Sequence, residues 1–293
     1  MATNRKGSVL ITGASTGIGR ATALYLDRQG YRVFAGVRKQ TDAQSLKEEG
    51  SDSLSPVTID VSSRRSINSA KSEVRRAVGR DGLEALFNNA GIGRGGPIEF
   101  LDLDDLRQNL EINVVGQVAV TQAFLPLLRE AEAAKIVFTS SINGRVAMPF
   151  LSPYNASKFG IEALADTLRR ELAPWDIKVV VIEPGLIDTP IWAKAGDTAS
   201  ELIASLPPQA RKLYGPQLSR AREMLREAAD RGIHPDKVAR VVERAIRKSN
   251  PKTRYLVGSD AKIAARLNAA LPDKTFDRIV RMQTKLPKRG SAR

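Results

Sequence analysis

One turn limits what this chain can fold into more than any other stretch. A short apolar run, Ser8-Val9-Leu10-Ile11, passes into Thr12-Gly13-Ala14-Ser15-Thr16-Gly17-Ile18-Gly19 and then into a helical pattern that starts near Arg20 and stops at Gly30. Glycines let a backbone turn sharply and approach another group closely. A helix beginning there presents unpaired N–H groups and the positive end of its dipole. A buried strand that enters a helix through such a turn belongs to a parallel sheet covered by helices, and the alternation continues down the chain. Apolar runs at 32–37, 55–60, 83–88, 135–140, 178–183 and 254–257 are separated by helical patterns. Seven strands and about six long helices predict an α/β fold, a doubly wound (Rossmann-type) parallel seven-stranded sheet, as a single domain over residues 1–293. Residues 186–235, broken by Pro190, Pro207-Pro208 and Pro216, read as an insertion that covers a ligand site. Residues 282–293 read as a basic, disordered tail.

The turn itself suits an anionic ligand. Its Gly-x-x-x-Gly-x-Gly spacing differs from the commoner Gly-x-Gly-x-x-Gly, yet strand, turn and helix together predict a dinucleotide. Gly13, Ser15, Thr16, Gly17, Ile18 and Gly19 would cradle its pyrophosphate. The end of the second strand distinguishes the two nicotinamide dinucleotides. An acid there favours NAD, and a cation accepts the 2′-phosphate of NADP. Val37 stands in the acid's place, followed by Arg38-Lys39, which favours NADP(H) over NAD(H).

Composition then limits the chemistry. Among 293 residues there is no cysteine and one histidine, His234. Disulfides, thiolate nucleophiles and two-histidine metal sites are excluded, and no metal is expected. His234 lies in Gly232-Ile233-His234-Pro235-Asp236, a loop leading into a helix, with Asp236 placed as a cap. Proton transfer is therefore left to Tyr, Lys, Asp or Glu. No run of 18 apolar residues suggests a membrane span, and the N-terminus leaves no room for a signal peptide, so a cytoplasmic protein is expected. Lys and Arg outnumber Asp and Glu by 46 to 32, and residues 244–293 hold 14 of those cations against Asp260, Asp273 and Asp277. That end reads either as a solvated surface or as weak contact with an anionic partner. Nucleic acid is not expected, because no aromatic-rich basic patch accompanies the charge.

Tyr154 and Lys158, in Tyr154-Asn155-Ala156-Ser157-Lys158, are four apart and share a helix face. An ammonium and an oxidised nicotinamide beside a phenol would lower its pKa from about 10. With Thr12 to Gly19, Asn88-Asn89-Ala90-Gly91, Asn113, Ser141 and Pro184-Gly185, this pair stands in the order and spacing of the short-chain dehydrogenase/reductase family. The chain resembles that family over about residues 7 to 190, and its long C-terminal region looks similar to the 17β-hydroxysteroid and retinol dehydrogenase-like branch. The resemblance implies hydride transfer between nicotinamide and a carbonyl or secondary alcohol. It also implies site roles. Tyr154 would be the acid/base. Ser141, rather than Ser140, would hydrogen-bond the substrate oxygen. Lys158 would bind the nicotinamide ribose and hold the tyrosine pKa down. Asn113 would position a water that links Lys158 to solvent. Asp60 and Val61, ending the third strand, would meet the adenine. Asn88 to Gly91, including Asn89 and Ala90, would line the turn beside the cofactor. Pro184, Gly185, Ile187 and Thr189 would meet the nicotinamide and its phosphates. One departure is Thr16, where some NADP-preferring members carry a cation. A homodimer or homotetramer is implied by the resemblance alone.

An apolar cleft is expected from Leu186, Ile191, Trp192, Leu202, Ile203, Leu206, Leu213 and Tyr214, facing residues 92–97 and 148–151. It would suit a hydrophobic, steroid- or retinoid-like carbonyl or alcohol. Two alternatives are a 3-oxoacyl thioester reductase engaging an acidic carrier protein and a non-catalytic NADP-sensing scaffold. The extra C-terminal length argues against the first, and the intact Asn/Ser/Tyr/Lys set against the second.

Overall fold

Valine, isoleucine and phenylalanine crowd the strand runs, and strands buried on both faces read as continuous apolar stretches. In the computed structural model, which describes residues 6–189, 204 and 206–284, these runs are β1 (Lys6–Ile11), β2 (Tyr31–Val37), β3 (Leu54–Thr58), β4 (Ala85–Asn88), β5 (Lys135–Thr139), β6 (Lys178–Pro184) and β7 (Arg254–Val257). All pair in parallel, in the order β3-β2-β1-β4-β5-β6-β7. Leu10 on β1 registers with Phe34 of β2 on one side and Leu86 of β4 on the other. Each of these side chains is almost wholly buried, worth about 1.5–3 kcal/mol apiece.

Helices cover both faces. On one side α3 (Arg64–Val78), α5 (Gly116–Glu130) and α6 (Ser152–Glu171) bury Ile67, Val74, Phe124, Leu128 and Ile161 against the sheet. On the other, α1 (Gly17–Arg28), α2 (Gln40–Glu49) and a later helix at Asp236–Arg247 bury Ala23, Leu26, Leu46, Val238, Val242 and Ile246. Local signals set the helix starts. Ser63 caps α3 by accepting from the Ser66 N–H, and Asp102 caps α4 (Leu103–Leu110) by accepting from Asp104. A π-turn, Glu111–Val115, joins α4 to α5 without a break. The joined helix, Leu103–Glu130, is long and apolar enough by length and composition to cross a membrane. Val120, Phe124, Leu127 and Leu128 are buried in the core beside the sheet, so the helix serves there as a core helix.

Several sequence boundaries shift. Helix α1 begins at Gly17, three residues before Arg20. Strand β3 ends at Thr58, so Asp60 and Val61 lie in the turn beyond it. Among its described residues the insertion contains one long helix, α7 (Pro208–Arg231), with Pro216 inside it. The next helix, α8 (Asp236–Arg247), has Pro235 as its N-cap and Asp236 in its first turn. Asp236 is therefore not the cap, and its N–H donates to His234 Nδ1 at 3.3 Å. The sequence reading does not anticipate two helices beyond β7, α9 (Ser259–Ala270) and α10 (Asp273–Gln283). Met282 and Gln283, assigned to the tail, close α10, while residues 285–293 lie outside the described residues.

Candidate active site

The order of the sheet reverses between β1 and β4, and a cleft of about 510 Å³ opens there at the carboxyl ends of the strands. The glycine turn forms its floor. Gly13 and Gly17 have φ of 66° and 55°, a left-handed region that side chains seldom adopt. A Cβ on Gly13 would stand 2.8 Å from the Ala90 Cα, and one on Gly19 would stand 2.2 Å from the Gly13 carbonyl oxygen. The turn therefore packs directly on the segment after β4. Thr12 fixes that contact: its Oγ1 accepts from the N–H groups of Asn89 (2.9 Å) and Ala90 (3.0 Å). Asn89 Nδ2 returns bonds to the carbonyls of Thr12 and Gly13. Thr16, the N-cap of α1, makes no side-chain cap bond, so the first N–H groups of the helix are left to the cleft. Uncapped N–H groups, a positive dipole end and a wall too tight for any Cβ fit a pyrophosphate.

At one end of the cleft lies Arg38, exposed, beside Gly36, Val37 and Asp60. The carboxylate of Asp60 is already engaged, accepting from Ser62 N (3.0 Å) and Ser62 Oγ (2.7 Å). Those bonds first, and Arg38 after them, hold its pKa below the usual carboxylate value. Arg38 makes no ion pair with a described residue, which leaves its guanidinium open to an anionic ligand.

At the other end β5 delivers Thr139, Ser140 and Ser141, and α6 delivers Tyr154 and Lys158. Ser141 caps a short 3-10 turn, Ile142–Gly144, accepting from the Asn143 N–H at 3.1 Å. Asn143 Nδ2 donates to Asn155 Oδ1 at 2.9 Å, which ties this turn to α6. Tyr154 is 8% exposed and Lys158 4%. The Lys158 ammonium donates to the Thr139 carbonyl at 2.8 Å and lies 5.4 Å from the Tyr154 ring centroid. The sequence expectation of a lowered phenol pKa included an oxidised nicotinamide beside Tyr154; the directions in the chain alone are set by burial. Burial pushes the Tyr154 phenol up to about 12, and a hydrogen bond with Ser141 pulls it down only in part. Burial likewise pulls Lys158 down to about 8, opposed by the nearby charge of Glu162. Within the chain alone desolvation outweighs the ammonium, because Lys158 aims its charge at a carbonyl.

Most residues singled out from the sequence line this one cleft: Gly13, Ser15, Thr16, Gly17 and Ile18; Arg38, Asp60 and Val61; Asn89, Ala90 and Gly91; Ser141, Tyr154 and Lys158; Pro184, Gly185, Ile187 and Thr189. Gly19 packs beneath the turn. Asn88 points away, donating to Thr121 Oγ1 at 2.8 Å behind the sheet. Asn113 sits in the π-turn, wholly buried. Its Nδ2 donates to the Ile92 carbonyl (2.9 Å) and Ser157 Oγ (2.9 Å), and its Oδ1 accepts from the Ile92 N–H (2.8 Å). Both amide hydrogens are therefore spent on the chain, and any water that Asn113 positions must be held by a carbonyl oxygen. Sequence reasoning counted Thr12 in the turn motif without giving it a role and missed Thr139, although each is a polar residue following an apolar run at the binding end of the sheet.

The insertion rests on the segments expected opposite it. Leu206, Ala210 and Leu218 form a buried cluster with Phe100, Phe150 and Tyr214. The Tyr214 ring meets Phe100 and Phe150 edge-on at 6.0 and 6.3 Å, and its hydroxyl donates to Glu99 at 2.7 Å. Gly96 N–H bonds the Phe150 carbonyl at 2.7 Å, joining the 92–97 and 148–151 segments. Ile191, Trp192, Leu202 and Ile203 lie outside the described residues.

The chain belongs to the short-chain dehydrogenase family, whose model matches residues 7–200. Within it the chain falls in the branch of retinol and 17β-hydroxysteroid dehydrogenases. It is 34% identical to retinol dehydrogenase 5 of Mus musculus, over 93% of this chain and 87% of that one. It is 35% identical to 17-beta-hydroxysteroid dehydrogenase type 6 of Bos taurus, with the same coverage. An NADPH-dependent 3-dehydrocapnine reductase of Ornithobacterium rhinotracheale is 33% identical, over 92% and 94% of the two chains. Among solved structures, a short chain dehydrogenase from Burkholderia cenocepacia J2315 in complex with NADP aligns with a TM-score of 0.71 at 25% identity, over 97% and 98%. A second, from Burkholderia phymatum in complex with NAD, gives 0.76 at 23%, covering both chains fully, and shares the fold. The protein is an oxidoreductase of CH–OH and C=O groups that binds a nicotinamide dinucleotide.

Proposed function

We propose that the protein uses NADP(H) to interconvert a hydrophobic, steroid- or retinoid-like carbonyl compound and its alcohol, with Tyr154 as the acid/base. The observation that carries this reading is the buried phenol of Tyr154, flanked by Ser141 and Lys158 and open to the cleft. When bound, the nicotinamide supplies or accepts the hydride. Tyr154 Oη gives its proton to the carbonyl oxygen, and Ser141 Oγ donates a hydrogen bond to the same atom. A phenol held up at about 12 keeps that proton at neutral pH, which suits the reducing direction. In the oxidising direction it must lose the proton, and Lys158 is the cation that the chain places beside it.

The NADP preference draws support from Arg38, from the absence of an acid at the end of β2, and from the NADPH-dependent relative and the NADP-bound neighbour. Hydrophobic substrates draw support from the apolar contact of α7 with Phe100 and Phe150 and from the named substrates of the retinol and steroid relatives. We also propose a homo-oligomer formed through the helices flanking the site, where Val115 is 50% exposed and Phe159 43%. The deciding experiment is a panel of retinoid, steroid and long-chain carbonyls and alcohols, assayed with NADPH and NADH by nicotinamide absorbance. Turnover of a hydrophobic pair with preference for NADPH is expected. No turnover across the panel would refute the substrate class.

A further inference from the structure

Strand β6 is apolar from Val179 to Ile182, and an apolar residue at 183 would continue that pattern. Glu183 stands there instead, with no exposed surface. A buried carboxylate is costly unless it is paired, and pairing this one ties together three parts of the site. Glu183 Oε1 accepts from Arg145 Nε at 2.5 Å and lies 3.8 Å from Arg254 Nε. Arg145 directly follows the 3-10 turn that Ser141 caps. Arg254, opening β7, binds Glu162 (2.9 Å) and Asp166 (3.0 Å). Both are on α6, and Glu162 is one turn beyond Lys158 and two beyond Tyr154.

The fit behind the cleft is tight. A Cβ on Gly144 would stand 2.6 Å from Ser140 Oγ, 3.0 Å from Glu162 Cγ and 3.1 Å from the Lys158 carbonyl oxygen. Ser141 Oγ reaches the carbonyl of Pro184, the residue after Glu183, at 3.5 Å. The inner oxygens, Glu183 Oε2 and Glu162 Oε1, are buried without a hydrogen-bond partner among the described residues. Desolvation and the charge of Glu162 push the Glu183 carboxyl up to about 7, against the pull of Arg145. A group so costly to bury that serves packing alone has an obvious apolar replacement.

We propose that Glu183 is a positioning residue, which sets Ser141 through Arg145 and the Tyr154/Lys158 face of α6 through Arg254. The proposal rests on the reading of Ser141, Tyr154 and Lys158 as the reacting group. It touches neither substrate nor cofactor, and it acts by holding two elements in mutual register. Small displacements of reacting groups cost large factors in rate.

The test compares Glu183→Leu, which keeps the volume, with Glu183→Gln, which keeps an acceptor for Arg145, and with Arg145→Met at a partly exposed position. Three quantities are read: kcat and KM separately, the dissociation constant for NADPH, and amide hydrogen exchange over residues 141–146 in cofactor-free protein. Glu183→Leu and Arg145→Met should lower kcat at least tenfold, with KM and the NADPH constant changed less than threefold. Exchange over 141–146 should quicken, and Glu183→Gln should recover most of kcat. If Glu183→Leu fails to fold, Arg145→Met carries the same test. Unchanged kcat and exchange, or equal losses in kcat, KM and cofactor binding, would overturn the proposal. Tyr154→Phe, run in parallel, separates the two readings. If it abolishes turnover while the Glu183 and Arg145 variants keep the parental kcat and exchange, positioning fails and the acid/base reading stands. If Tyr154→Phe turns over normally, the acid/base reading fails, and the exchange data alone decide whether Glu183 orders the serine turn.

Discussion

The ammonium of Lys158 stands 5.4 Å from the ring centroid of Tyr154, yet its hydrogen bond runs to the Thr139 carbonyl at 2.8 Å. The pair therefore shares a buried wall without a direct bond between the two polar atoms. Each group pays for desolvation separately, the phenol held protonated and the lysine held closer to neutrality.

Replacing Tyr154 with phenylalanine removes the proton and leaves the ring packing. Turnover should fall by about 10²–10⁴, the usual share of a general acid/base, while NADPH affinity changes little. Stopped-flow rates beside fluorescence titration of NADPH check this, and near-normal turnover would count against Tyr154.

Affinity for the dinucleotide should depend on pH through Lys158. Its pKa lies near 8, lowered from 10.5 by burial. Below about 8 the lysine is charged and able to hold a ribose hydroxyl as a cation. As pH rises through 8 the charge is lost, and NADPH binding should weaken progressively toward pH 9.5. The stability term has its own sign: a lowered base stabilises the fold above its unfolded pKa, and that contribution is lost as pH falls through about 8. Lys158→Met should bind more weakly throughout and show a flat profile, and a sloping one would place the titration elsewhere.

Arg38→Asp replaces a cation with an anion at the adenosine end of the cleft. A charge-assisted hydrogen bond to phosphate is worth about 1.5–3 kcal/mol, so the NADPH/NADH ratio of kcat/KM should fall at least tenfold. An unchanged ratio would assign phosphate recognition to another residue.

Gly13→Ala should be costly twice over. The residue needs φ of 66°, and the new methyl would meet the Ala90 backbone at 2.8 Å. Strain of about 1–3 kcal/mol is expected, seen as a lower melting temperature. Loss of NADPH binding should exceed what the stability change explains. A variant that melts and binds like the parent would show that the turn is looser than its contacts imply.

Much of this was legible in residues because the signals are local. Strand runs, glycine turn and the Tyr154/Lys158 spacing each rest on a few neighbours, and the seven strands follow from them. The pKa of Tyr154 was not legible, because desolvation depends on how α6 packs against β5. Nor was the group around Glu183, whose partners Arg145, Glu162 and Arg254 are scattered over more than a hundred residues. Asp236 looked like a cap by residue type, but Pro235 took the place by backbone geometry.

The π-turn at Glu111–Val115 takes up one residue more than an α-turn and keeps everything after it in phase. An α-helix advances about 100° per residue, and a π-turn adds one residue to a single turn. Deleting one residue there would restore a regular helix and leave Phe124, Leu127 and Leu128 facing the core, whereas winding every residue into a regular α-helix would rotate them by about 100°. Asn113 would lose its aim at Ile92 and Ser157. For this chain the extra residue is a local device, which aims Asn113 at Ile92 and Ser157 without turning the half of the helix that follows.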